Sequence, residues 1–367
     1  MRLRSSVVAV GVCLAGLLAA CPVSAEETAS VAPASFSSEV IGPGNPAGLA
    51  AEVAALRQRL DQLESAGNAG SFNCGECVCP GWKVSSEFLS WQLHRRDLDF
   101  AIATDDSALA VGDGAVQKLG FGSDAGLRVG IARQLASGWE VGFAYTYFYT
   151  SASGSAAEPA NGNLWATRNH PALYEEAATA NAFSSLKYHV FDLEASYQWC
   201  LSPSANVKMF GGPRWATIDQ QFRANYDGRD FSNASVNHPV DLNAFGLRLG
   251  VAGQWELGHG FSLFGRGAGS LMYGRFDSQL TETNLAGAQS IVSVRDEYQQ
   301  AVPVLEVAAG LAWRYRCFEV SAGYEIVDWF NAGDRSAFVD GNDEGLYSSA
   351  STDLLLEGLF ARCVWTF

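Results

Sequence analysis

Trp139-Glu140-Val141-Gly142-Phe143-Ala144-Tyr145-Thr146-Tyr147-Phe148-Tyr149-Thr150 decides the fold. Trp139, Val141, Phe143, Tyr145, Tyr147 and Tyr149 recur at every second position, and Glu140, Gly142, Ala144 and Thr146 stand between them. A period of two belongs to an extended strand, whose successive side chains point to opposite faces. Further on, Phe245, Leu247, Leu249, Val251 and Trp255 oppose Gly246, Arg248, Gln254 and Glu256 in the same way. A soluble barrel would hide the bulky set and a membrane barrel would show it to lipid, so bulk has to choose. Six large side chains per strand, repeated around about ten strands, overfill a small barrel, whereas glycine, alanine and a few charges fit inside it. The bulky face is therefore expected to meet hydrocarbon.

Working outward, the same alternation runs from Trp82 to the last residue, Phe367. It predicts strands over Trp82–Trp91, Gly122–Arg133, Trp139–Thr150, Phe183–Trp199, Asn206–Asp219, Asp241–Leu257, Phe261–Phe276, Tyr298–Arg316, Phe318–Phe330 and Asp353–Phe367. Each approaches or exceeds the roughly 9 to 11 residues that a tilted strand needs to cross a bilayer. Connections alternate in length. Short ones lie around Ser137-Gly138, Ser202-Pro203, His259 and Cys317, and long ones run through Asp105–Gly114, Ser151–Ala180, Arg223–Pro239, Ser278–Asp296 and Asn331–Ser351. Tight periplasmic turns and extended outer loops produce this asymmetry in outer-membrane barrels. The reading is an all-β, antiparallel, up-and-down transmembrane barrel of about ten strands, with the N-terminal segment and the C-terminus periplasmic. A further pair built on Asp97–Thr104 would raise the count to twelve.

The N-terminus reads as an export signal over residues 1–25, with Arg2 and Arg4, an apolar core from Val7 to Ala20, and Val23-Ser24-Ala25 before the cut. Leu18-Ala19-Ala20-Cys21 overlaps it as a lipoprotein box, which would make Cys21 a lipidated first residue. Residues 26–45 form a flexible linker rich in Ser, Ala, Pro and Gly. In residues 46–67, Leu49, Val53, Leu56, Leu60 and Leu63 are spaced as the seam of a short coiled coil, which predicts a periplasmic helix joining subunits of a homo-oligomer, a trimer being one form. Residues 68–81 are a Cys-rich connector and residues 82–367 the barrel. The formal net charge of −15 disfavours nucleic acid as a partner, because phosphate binding needs clustered Lys and Arg. Outer-membrane lipid, small ions and polar solutes are the expected partners.

On the face opposite the bulky residues the strands carry both signs of charge. Arg128, Arg214, Arg248, Arg266, Arg314 and Arg362 stand against Glu87, Asp192, Glu194, Glu256, Glu306, Glu319 and Glu325, and these are the expected pore-lining residues. Opposed rows could constrict and select permeating ions, or they could pair into ladders that fill a narrow barrel. The acidic total hints at cations. Trp139, Trp199, Trp255, Trp313 and Trp365 recur near the short turns, where an interfacial girdle belongs.

The last residues, Leu359-Phe360-Ala361-Arg362-Cys363-Val364-Trp365-Thr366-Phe367, look like the assembly signal of outer-membrane barrels. Together with Val84-Ser85-Ser86-Glu87-Phe88-Leu89-Ser90-Trp91, Phe191-Asp192-Leu193-Glu194, Phe210-Gly211-Gly212-Pro213-Arg214-Trp215-Ala216, the run from Phe245 through Arg266, and Ala322-Gly323-Tyr324-Glu325, they resemble the pore-forming outer-membrane protein family typified by a Legionella major porin and plentiful in planctomycetes. That resemblance implies a porin, a water-filled channel for passive diffusion of ions and small polar solutes. A non-conducting structural or adhesive barrel is the alternative, and a barrel-embedded hydrolase a more distant one.

Cys74, Cys77, Cys79, Cys200, Cys317 and Cys363 follow the leader, and in an exported chain they are disulfide candidates. First and last strands of a closed barrel are neighbours, so a bridge from the Cys74–Cys79 cluster to Cys363 is the sharpest form of this expectation. No enzyme, metal or other cofactor is expected. Ser184, Ser185 and His189 are the nearest approach to a hydrolytic set, and Asp340-Gly341-Asn342-Asp343-Glu344 lacks the full ligand pattern of a calcium loop.

Overall fold

The computed structural model of the chain describes residue 58 and residues 81–105, 114–171, 176–339 and 345–367. The leader, Cys21, the linker, the heptad seam, Cys74, Cys77, Cys79 and the acidic loop at 340–344 all lie outside the described residues.

Fourteen strands follow in chain order: β1 (Trp82–His94), β2 (Asp99–Thr104), β3 (Ala115–Lys118), β4 (Ser123–Gln134), β5 (Trp139–Ala157), β6 (Asn163–Ala166), β7 (Glu176–Ala177), β8 (Thr179–Ser202), β9 (Ala205–Gly228), β10 (Phe231–Gly258), β11 (Phe261–Asn284), β12 (Gln289–Tyr315), β13 (Phe318–Phe338) and β14 (Tyr347–Thr366). Ten of them close into a barrel in the order β1-β14-β13-β12-β11-β10-β9-β8-β5-β4. Every pairing is antiparallel, and β1 closes the ring by pairing Glu87 with Arg362 on one side and Arg128 on the other. Closure leaves no open sheet edge, as hydrocarbon requires. The segment at Asp97–Thr104 does not enlarge the ring to twelve: β2 joins β3, β6 and β7 in a separate four-stranded sheet.

At the short-turn end the hairpins are tight. His259 and Gly260 both take positive φ, 56° and 82°, as a two-residue turn between twisted strands demands. Trp139, Trp199, Trp255, Trp313 and Trp365 are all exposed around this rim. Above it the outer face is Phe245, Leu247, Leu249 and Val251 on β10, Leu263 and Leu271 on β11, and Leu305, Val307 and Leu311 on β12. This is the lipid face that the alternation predicts.

The long-loop end corrects the sequence reading. Arg223–Pro239 and Ser278–Asp296 are not loops: β9 and β10 pair up to a hairpin at Arg229-Asp230, and β11 and β12 pair up to a 3-10 turn at Leu285–Gly287. With 28 residues, β10 extends about 90 Å at ~3.3 Å per residue, far beyond an apolar band of about 25 Å. The physical sign of the extension is an inversion of the alternation. On β10 the outward series passes from Leu247 and Phe245 to Asn243 and Asp241, while the inward series passes from Arg248 to Leu242, Val240 and Val236. On β11 the outward side passes from Leu271 and Tyr273 to Arg275 and Asp277, and the inward side from Arg266 to Met272, Phe276 and Leu280. Lower down the barrel is apolar outside, and higher up it is apolar inside, as a wall in water must be. The expectation of a small and charged interior therefore holds only for the short-turn half.

Candidate functional site

Each of the residues expected to line the pore lies on the inner parity of its strand. Three charged residues join them that the sequence reading left out, Lys83, Glu140 and Lys208. Eight cations (Lys83, Arg128, Lys208, Arg214, Arg248, Arg266, Arg314, Arg362) and eight carboxylates (Glu87, Glu140, Asp192, Glu194, Glu256, Glu306, Glu319, Glu325) line this half among the described residues. Parity alone could have found the three, because Lys83 sits two inward positions from Glu87 and Lys208 three from Arg214.

The charges pair in clusters. At the centre Arg214 donates from Nε and Nη2 to Asp192 at 2.6 and 3.0 Å and from Nη1 to Glu306. Arg248 donates from Nε and Nη2 to the same Glu306 at 3.0 and 2.7 Å, and from Nη1 to Glu194 at 3.0 Å. Beside it Arg128 joins Glu87 to Glu325, Arg266 reaches Glu325 at 2.5 Å, and Arg362 lies 4.0 Å from Glu87. At the mouth Lys83 and Lys208 both reach Glu140 at 2.7 Å. Arg314 meets Glu319 at 2.8 Å on the rim, with Glu256 on the same inner face. Of the two readings of the lumen charges, pairing into ladders describes most of these groups.

A cavity of about 220 Å³ runs between the clusters, and its upper end is Tyr188, Val190 and Val327. There the polar lumen stops. Leu89, Trp91, Phe148, Leu242, Phe276 and Trp329 are fully buried and fill the barrel from side to side. Rings meet edge-on, Trp91 with Phe148 at 5.6 Å, Trp91 with Tyr188 at 6.1 Å and Tyr188 with Trp329 at 5.8 Å. Gly274 makes the close fit possible, since a Cβ there would stand 2.8 Å from Leu242 and 3.1 Å from Val302. The Arg128 guanidinium lies 5.6 Å from the Trp91 ring centre, so the foot of this plug also contacts the charge network.

A polar cap covers the plug. Arg95 holds Asp97 at 2.9 Å and Gln220 at 2.9 Å, Arg335 holds Asp99 at 2.7 and 2.9 Å, and Tyr226 donates to the Phe100 carbonyl at 2.7 Å. Arg95 keeps the Asp97 carboxyl below the usual carboxylate range although burial opposes it. His238, Ser278 and Asp334 are close, but Ser278 donates to Asp334 at 2.9 Å while the same hydroxyl meets His238 Nε2 at 3.0 Å. This is a bridge without a histidine relay to a nucleophile. Ser184 and His189 fall on opposite faces of β8, and Ser185, on the histidine's face, is about 13 Å away along an extended strand. His189 instead bonds Tyr145 at 2.7 Å.

Cys200 and Cys317 sit at the short-turn end, and Cys363 lies on the outward parity of β14, on the side of Leu359 and Trp365.

In comparison with known proteins, the family described as "Legionella pneumophila major outer membrane protein precursor" matches residues 76–367. No curated protein matches the chain in sequence. Among solved structures, the outer-membrane protease OmpT from Escherichia coli is 12% identical, with a TM-score of 0.46 over 79% of this chain and 98% of its own. The translocator domain of the autotransporter NalP from Neisseria meningitidis is 12% identical, with a TM-score of 0.33 over 86% and 98%. The P. putida toluene transporter TodX is 9% identical, with a TM-score of 0.27 over 78% of this chain and 90% of its own.

Proposed function

The chain belongs to the family of the Legionella pneumophila major outer membrane protein, and from that premise we propose that it is a narrow outer-membrane pore for ions and small polar solutes, closed in the state described by its apolar plug. The cavity carries this reading. Protein interiors are packed to crystal-like density with few voids larger than a water molecule, yet the lower lumen keeps about 220 Å³ open between charged side chains. Side chains that only filled the barrel would have no reason to leave that space. In this reading the short turns face the periplasm, the vestibule opens there, and the extended strands stand outside the cell. Passage requires the plug around Trp91 and Trp329 to move.

A second reading is favoured by the plug itself: a closed structural barrel whose extended strands display the cap at the surface. Conductance separates the two. In planar bilayers the unaltered protein should give rare, small openings, and the Trp91→Ala/Trp329→Ala variant a sustained ion current. Each truncation costs about 3–5 kcal/mol, so the variant must first show the gel-mobility shift of a folded barrel on heating. Folded protein that stays silent in both forms refutes the pore and leaves the structural barrel.

A further inference from the structure

We propose that the vestibule is an anion-binding site, selecting small oxyanions and carboxylates, although the chain as a whole is acidic. The inference rests on the reading of the lower lumen as a solvent-filled vestibule. Formal charge does not decide the matter, because the inner face balances. Exposure does. Side chains of Lys83, Lys208 and Arg362 are 32%, 30% and 39% exposed, and that of Arg266 is 22% exposed. The carboxylates that answer them lie behind: Glu140 is 13% exposed, Glu87 4% and Glu325 0%.

Stoichiometry points the same way in these clusters. Lys83 and Lys208 share one carboxylate, and Arg128, Arg266 and Arg362 share two. The compensating acids belong to the Arg214–Arg248 cluster and to the rim, and in that cluster Glu306 and Asp192 are turned into Arg214 and Arg248 and largely hidden. Among the carboxylates that line the cavity, Glu194, 29% exposed and bonded to Arg248, is the one with access comparable to the cations. Within the cavity a solute therefore meets ammonium and guanidinium groups that are more exposed than the carboxylates, across space walled by Gly130, Gly142 and Ala144. Clefts lined by one sign of accessible charge concentrate the opposite ion.

Ser85 lines this cavity between Lys83 and Glu87, and a thiol there reports the local potential without any need for conduction. Ser85→Cys protein is treated with three methanethiosulfonates, bearing a sulfonate, a trimethylammonium group or no charge. Rates are measured over the unaltered protein's own reaction and normalised to a free thiol. The sulfonate should react roughly tenfold faster than the ammonium reagent, and millimolar inorganic phosphate should slow it. Adding Lys83→Gln and Lys208→Gln should bring the ratio toward one. A thiol that the neutral reagent reaches but that prefers the cation overturns the anion site alone, as does a ratio unchanged by the two lysine substitutions. A thiol that no reagent reaches overturns the open vestibule and the site with it.

Discussion

Replacing Glu306 by Gln tests whether the lumen network holds the barrel. Glu306 is buried and accepts from Arg214 and, through two bonds of 3.0 and 2.7 Å, from Arg248. Removing one partner of a buried pair costs about 3–5 kcal/mol, because a desolvated charge is left behind. Here the loss is partly compensated. Arg214 keeps Asp192 at 2.6 Å and Ser270 at 3.2 Å, and Arg248 keeps Glu194 at 3.0 Å. The expected loss is therefore about 3 kcal/mol, the lower end of that range. Glu297 supplies the control: it meets Arg275 and Arg295 on the outer wall with side chains 42% and 63% exposed, so Glu297→Gln should cost ~1 kcal/mol or less. Urea unfolding in lipid vesicles, followed by tryptophan fluorescence, measures both. If the two variants unfold within about 0.5 kcal/mol of each other, inside the usual scatter of surface substitutions, the network is not a structural element.

Two further predictions concern the outer half. Glu282 is buried, accepts from the His170 amide at 2.7 Å and has Oε1 without a hydrogen bond; burial pushes its carboxyl up to about 7. A raised carboxyl favours the neutral form in the folded state, so stability is unaffected below the unfolded value near 4.5 and falls as pH rises toward 7, by about 3 kcal/mol in all. Hydrogen exchange of the β2 and β6 amides, corrected for intrinsic rate, should show weaker protection at pH 8 than at pH 5, and Glu282→Gln should abolish the difference; an unchanged difference in the variant counts against this assignment. Leu249→Arg, at an outward position 71% exposed, should destabilise by about 2–4 kcal/mol as a cation in hydrocarbon, whereas Gln279→Arg, outward but above the inversion, should stay within about 0.5 kcal/mol. Equal effects at the two positions would mean that the outer wall has no lipid boundary between them.

What the sequence disclosed follows from where one rule applies. In the lower half the outward residues are Leu, Val, Phe and Trp and the inward ones Gly, Ala, Arg and Glu, so period and sign reinforce each other and the ten barrel strands are legible. In the upper half the period persists but the sign reverses, and segments such as Arg223-Ala224-Asn225-Tyr226-Asp227-Gly228-Arg229-Asp230 carry the Asn, Asp and Gly that also compose loops. Reading them as loops hides the apolar core above the plug, because Tyr226, Val236, Leu280 and Val292 become loop residues. Partnerships within the lumen are beyond any local rule: Arg128 meets Glu325 across 197 positions of chain. Strand register brings Glu87 between Arg128 and Arg362, and register is set by closure of the whole ring.

Composition misleads about the lumen for a related reason. The net charge of −15 belongs to the whole chain, while below the plug acids and bases are equal in number. Part of the excess stands outside: Asp219, Asp241, Asp277 and Glu297 are cross-strand neighbours in one row over β9, β10, β11 and β12, on the wall that faces water above the inversion. Arg295 and Arg275 answer that row only in part, through Asp277 and Glu297. Charges on the outer wall are separated from the vestibule by the sheet and screened within about 10 Å at ordinary salt, so they set how the surface meets its surroundings and not which ion enters. Ion preference has to be read from the groups that touch the cavity, where accessible cations stand in front of buried carboxylates.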